Sequence, residues 1–192
     1  GVRVEDDDGG AADDDISVPV RNVAPTVDAG ADVTFNEGET FFSSGAFADP
    51  GADSWTATVD YGDGSGTESL SLSGRAFTLR HDYSDNGVFN VVVEVDDGDD
   101  TGTDTLTVTV NNVPPAVADI GDASADEGDT FVHEGSFLDP GLEDTWAATV
   151  DYGDESGAQT LAPNPDNTFS LSHVYEDNGN FNGTVTVTDD DG

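Results

Sequence analysis

There is no cysteine in these 192 residues, no methionine, no lysine, and only four arginines. Without cysteine, no disulfide staples the fold and thiolate chemistry is excluded. With four basic side chains against 42 Asp and Glu, the formal net charge is −38. Nucleic acid and anionic membrane surfaces would both repel such a chain, so neither is expected as a partner. No apolar run approaches the length of a membrane-crossing helix, and no membrane insertion is expected. Helical periodicity of apolar residues is also missing. The chain has neither an initiator methionine nor a signal-peptide pattern, so it reads as a piece of something longer.

What is present is a repeat. Val23-Ala24-Pro25 answers Val113-Pro114-Pro115, and Phe47-Ala48-Asp49-Pro50-Gly51 answers Phe137-Leu138-Asp139-Pro140-Gly141. The segment from Trp55 to Asp63 answers that from Trp146 to Asp154. His81-Asp82-Tyr83 and Asp85-Asn86-Gly87 return as His173-Val174-Tyr175 and Asp177-Asn178-Gly179. A period of about 90 residues is the size of one small domain, too long for a solenoid coil. Within each copy, apolar and polar residues alternate with period two. Trp55, Ala57, Val59 and Tyr61 share one face, as do Phe77, Leu79, His81 and Tyr83, then Phe89, Val91, Val93 and Val95. Gly, Asp, Asn and Pro clusters separate these rows at the intervals of a sandwich. The pattern predicts an all-β fold of tandem immunoglobulin-like β-sandwich modules. In the first, strands are expected near 26–35, 39–48, 54–61, 67–73, 76–82, 88–95 and 103–110. Tyr83 and Tyr175 stand where a tyrosine corner would tie one sheet to the other.

The motifs Val59-Asp60-Tyr61-Gly62-Asp63-Gly64, His81-Asp82-Tyr83 and Gly87-Val88-Phe89-Asn90-Val91, leading to Asp96-Asp97-Gly98, resemble the bacterial PKD (polycystic kidney disease) module. The second copy departs at Glu155, where that pattern has glycine. The resemblance spans nearly the whole chain. It implies tandem immunoglobulin-like modules in an extracellular or cell-surface setting, and it implies no activity.

Residues 22–110 form module 1, and 111–192 form module 2 without its last strand. Val2 to Gly9 resemble Val185 to Gly192, so residues 1–21 read as the terminal strands of a preceding or neighbouring module. Over residues 10–21, Ile16, Val18 and Val20 alternate like the strand module 2 lacks. One reading is a window on a long array. Another is strand addition between neighbouring copies of the chain, although residues 2–9 and 185–192 would then claim one strand position.

Tracing strands up and down assigns the carboxylates to poles. Asn22, Asp49, Asp53, Asp96, Asp97 and Asp99 fall at the leading pole of module 1. Glu37, Asp60, Asp63 and Asp85 fall at its far pole. Asn112, Asp139, Glu143, Asp144, Asp189, Asp190 and Asp191 gather at the leading pole of module 2. The linker through Asn111, Asn112, Pro114 and Pro115 is short, so acidic poles face each other. A hard cation relieves that repulsion, and calcium takes six to eight oxygens of the carboxylate, carbonyl and amide kinds present here. These residues, Asp85 apart, are therefore the expected calcium ligands. The competing reading is that Asp in such loops only caps turns. No EF-hand loop or glycine-rich calcium nonapeptide is present.

His81 and His173 recur on a face shared with Phe, Leu and Tyr, which fits satisfied core histidines rather than catalysts. No Gly-x-Ser-x-Gly elbow exists, and the carboxylates lie on loop tips, so no enzyme is expected. The sequence points to a non-catalytic extracellular array (stalk, adhesin segment or fibre) stiffened by calcium at its junctions. Its partners would be adjacent modules of the same kind. The alternative is a polysaccharide- or protein-binding accessory module of a larger secreted protein.

Overall fold

Alternating apolar and polar residues produce strands with one buried face. The computed structural model, which describes residues 1–9 and 11–191, is built from such strands, with no helix among the described residues. Gly10, the first residue of the 10–21 segment, and Gly192, the last of 185–192, lie outside them.

The chain opens with a hairpin, β1 (Val2–Glu5) paired antiparallel with β2 (Ala11–Asp14), whose residues are all exposed. Module 1 follows as β3 (Thr26–Asp28), β4 (Val33–Asn36), β5 (Phe41–Ala48), β6 (Thr56–Asp60), β7 (Thr67–Ser69), β8 (Leu72–Ser73), β9 (Ala76–His81), β10 (Gly87–Asp96) and β11 (Thr101–Asn111). One sheet runs β3-β5-β9-β8, and the facing one runs β4-β11-β10-β6-β7. Phe41, Val59, Leu79, Val91, Val93, Leu106 and Val108 fill the space between them. This is an immunoglobulin-like sandwich. The Tyr83 hydroxyl donates to the Tyr61 carbonyl at 3.0 Å, and Tyr175 makes the matching bond to Tyr152 at 3.3 Å.

Two expected strands divide. The stretch 26–35 breaks into β3 and β4, which lie in opposite sheets. Ala29 is buried at the crossing, where its N–H donates to Asp104 Oδ2 at 2.8 Å, and Gly30 takes a φ of 101°. The stretch 67–73 likewise splits into β7 and β8, one in each sheet. In both places a backbone that changes sheets cannot keep one ladder.

Module 2 has β12 (Ala116–Val117), β13 (Thr130–Leu138), β14 (Ala147–Asp151), β15 (Gln159–Leu161), β16 (Thr168–Val174) and β17 (Thr184–Thr188). Its sheets run β12-β13-β16 and β15-β14-β17 around Phe137, Val150, Tyr152, Phe169 and Leu171. Its β17 is half the length of β10, its counterpart, and among the described residues no strand covers its outer edge. The modules touch directly. Ser84 of module 1 accepts backbone N–H bonds from Leu142 at 3.0 Å and Glu143 at 3.3 Å. A Cβ on Gly38 would fall 2.6 Å from the Pro140 side chain.

Candidate metal centre

Each leading pole is built the same way. Asp49 Oδ1 accepts from the Gly51 N–H at 2.8 Å and its Oδ2 from the Trp55 indole at 2.7 Å. Asp139 repeats this with Gly141 at 3.0 Å and Trp146 at 2.8 Å. The Asn22 amide donates to Asp97 at 3.0 Å, and Asn112 does so to Asp189 at 3.1 Å. A glycine follows each Asp-Pro pair, and the Asp53 and Asp144 carboxylates fold over the space its missing Cβ leaves at Gly51 and Gly141. Asp49, Asp53 and Asp97 thereby bring carboxylate oxygens within 4.8 Å of one another.

At the junction the far pole of module 1 is added. Glu37, in the turn between β4 and β5, is only 3% exposed. Its N–H donates to the Asn111 carbonyl at 3.0 Å, and its Oε1 accepts from the Val113 N–H at 2.7 Å. This leaves Oε2 buried without a partner, together with Asn112 Oδ1 and both oxygens of Asp144. Glu37, Asp139 and Asp144 form one set of oxygens mutually within 4.8 Å, and Asp85, Asp144 and Asp191 form a second. Ligands 2.3–2.6 Å from a calcium ion lie at most about 5 Å apart, so both sets fit that coordination sphere.

Electrostatics makes the pole costly as it stands. Burial, then the charges of Glu37, Asp139 and Asp85, push the Asp144 carboxyl up to about 7. Burial chiefly, with Asp139, Asp85 and Asp189, also raises Glu37. Three of the four arginines are engaged elsewhere: Arg3 with Glu5, Arg80 with Asp82, and Arg75 over the Trp55 ring. Buried carboxylate oxygens without donors, in a cluster without a counter-charge, are what a bound cation satisfies.

The remaining sequence-assigned residues are placed as follows. Asp60 caps its turn through the Gly62 N–H, and Asp63 bonds Ser65 and His81. Asp96 caps through the Gly98 N–H, and Asp190 accepts from the Thr145 N–H. Asp99 and Glu143 are exposed. None of these six falls in a carboxylate set. Asp85 does, though it was not assigned as a ligand; its signal was the acidic turn that returns as Asp177-Asn178-Gly179. His81 and His173 are half-buried, stacked on Tyr61 and Tyr152 at 4.1 Å and bonded to Asp63 and Asp154.

A model of the PKD domain family matches residues 22–111 and again 112–192. No curated protein matches the chain. Among solved structures, the PKD domain of a peptidase from a Thermoplasmatales archaeon is 24% identical over 46% of this chain and 99% of its own, at a TM-score of 0.35. Tandem Ig domains of titin are 13% identical over 88% of this chain and 97% of theirs, at 0.37. An endo-fucoidan hydrolase of glycoside hydrolase family 107 is 18% identical over 98% of this chain and 31% of its own, at 0.41.

Proposed function

Because this chain belongs to the PKD domain family, twice over, we propose that it is a non-catalytic structural array whose module junctions are stiffened by calcium. PKD and Ig-like domains are commonly extracellular structural or binding modules, and the reading places this one on the structural side, at or outside the cell surface. The observation that carries it is a comparison within the chain. Glu37 and Glu127 hold the same turn in the two modules, Asn36-Glu37-Gly38 and Asp126-Glu127-Gly128. Glu127 is exposed, whereas Glu37 is buried against module 2 with one oxygen lacking a donor. The junction thus draws a carboxylate into a cluster of its own sign.

Calcium between Glu37, Asp139 and Asp144 would replace that repulsion with coordination, and Asn112 Oδ1 would add a neutral oxygen. A second ion among Asp85, Asp144 and Asp191 would share Asp144. Both would tie the far pole of module 1 to the leading pole of module 2, and the short proline linker would limit bending. If extracellular-type sites bind near 0.1–1 mM, ~10 mM calcium stabilises by roughly 1.4–2.7 kcal/mol per site. The test is thermal unfolding in EDTA, then in calcium, then in magnesium and NaCl at matched ionic strength. The reading requires a rise of several degrees specific to calcium. Equal stabilisation by all three salts would remove calcium and leave the acidity as a solvated coat.

A further inference from the structure

Given calcium at the junction, as proposed above, we infer that Trp146 is the positioning residue of that site. Its indole N–H, anchored in the core of module 2, holds the Asp139 carboxylate toward the cation and so sets the affinity. The three carboxylates of the Glu37, Asp139 and Asp144 set are anchored unequally. Asp139 is fixed at both oxygens, Oδ1 by the Gly141 N–H at 3.0 Å and Oδ2 by the Trp146 indole at 2.8 Å. Glu37 is fixed at one, by the Val113 N–H at 2.7 Å, and its Oε2 is buried without a donor. Asp144, only 7% exposed, has no donor at either oxygen. A carboxylate oxygen carries two lone pairs, so each Asp139 oxygen keeps one for a metal.

The indole also holds Asp139 against its neighbours. Its oxygen lies within 4.8 Å of those of Glu37 and Asp144, and like charges at that distance drive a free carboxylate outward to water. The Gly141 bond spans two residues and moves with the loop. The Trp146 bond ties the carboxylate to the sandwich. Trp146 directly precedes β14, and its half-buried ring meets Phe137 edge-on at 5.4 Å, where Phe137 is a fully buried core residue.

The two modules provide a comparison. Asp49 and Trp55 are six residues apart and Asp139 and Trp146 seven, because Leu142-Glu143 stand where module 1 has only Ala52. The indole-to-carboxylate distance is nevertheless 2.7 Å in one and 2.8 Å in the other. The longer loop is taken up at the junction, where the Leu142 and Glu143 N–H groups donate to the Ser84 carbonyl. A bond that keeps its length when the loop grows is set by the strand that carries the donor. Outer bonds that orient a ligand in this way typically change metal affinity about 10–100-fold.

The test is calorimetric titration of the full chain with calcium chloride, the junction component being the one that Glu37→Gln removes. Two replacements delete the N–H. One is Trp146→Phe; the other exchanges the Trp146 indole for benzothiophene, which keeps the double ring and its packing. The control is Trp55→Phe, which takes the same donor from Asp49 at the other pole. We expect the junction affinity to fall about tenfold or more in both Trp146 chains and to stay within about twofold in the control. In the control Trp146 is the only indole left, and its emission should shift along the junction isotherm. Unchanged affinity in the benzothiophene chain would make Trp146 merely structural and overturn the inference, leaving the calcium reading in place. An equal loss in the Trp55→Phe chain would overturn it too. A wild-type chain with no component that Glu37→Gln removes would overturn the calcium reading, and the role of Trp146 with it.

Discussion

Asp144 concentrates the junction's electrostatics in one side chain. Its carboxyl is raised to about 7 by burial and by Glu37, Asp139 and Asp85. Between about pH 4 and 7 the folded protein therefore holds a proton that the unfolded chain releases. Stability falls as pH rises through that window and levels off above it. Calcium binds the ionised form, so its stabilising effect should grow from pH 5.5 to pH 8, which calorimetry at both values will show. Asp144→Asn removes the buried charge and two anionic oxygens at one stroke. In EDTA at pH 8 it should stabilise by on the order of 1 kcal/mol, about 4–8 °C for a module of this size, while most of the calcium-induced rise disappears. Asp63 and Asp154 behave oppositely. Burial works to raise Asp63, but bonds from Ser65 and His81 outweigh it and hold it at about 2. Bonds from Ser156 and His173 hold Asp154 at about 2 as well. Their contribution is present above about pH 4 and lost as pH falls through 2. Asp63→Asn should flatten acid unfolding over that range, followed by circular dichroism.

At the level of elements, the tyrosine corner and the turn after β14 are the informative places. Tyr83→Phe leaves the buried Tyr61 carbonyl without its donor and should cost about 1–3 kcal/mol in urea unfolding. Glu155 takes a φ of 68° where Gly64, its counterpart, takes 85°, so Glu155→Gly should stabilise module 2 by up to about 1 kcal/mol in the same assay. The departure from the family's glycine left the turn's shape intact and its strain visible. Most strands were legible in the sequence, because a half-buried sheet imposes period two on its residues. The break between β3 and β4 was not. Ala29-Gly30-Ala31 carries on the run, and the bond that fixes the crossing comes from Asp104, 75 residues away. The site was legible as a pole but not as a ligand set. Asp60 and Asp63 look like Asp85 in sequence, and only the seating of module 2 decides which carboxylates are drawn together.

At the scale of the whole molecule, the contact of Gly38 with Pro140 separates the junction from the modules. Gly38→Val forces a side chain into that contact and also strains a φ of 78°. Gly128→Val imposes nearly the same strain, at a φ of 80°, on the matching turn, where an added Cβ would meet nothing within 4 Å. Both variants should lose similar intrinsic stability, about 1 kcal/mol. Only Gly38→Val should also lose the calcium-induced rise and lengthen or broaden the solution scattering profile. The most direct test is an anomalous difference map from crystals grown in millimolar calcium. The account predicts a peak among Glu37, Asp139 and Asp144 at the junction, with ligand oxygens at 2.3–2.6 Å. A map with no peak there, or with peaks confined to turn carboxylates such as Asp60 and Asp96, would contradict it.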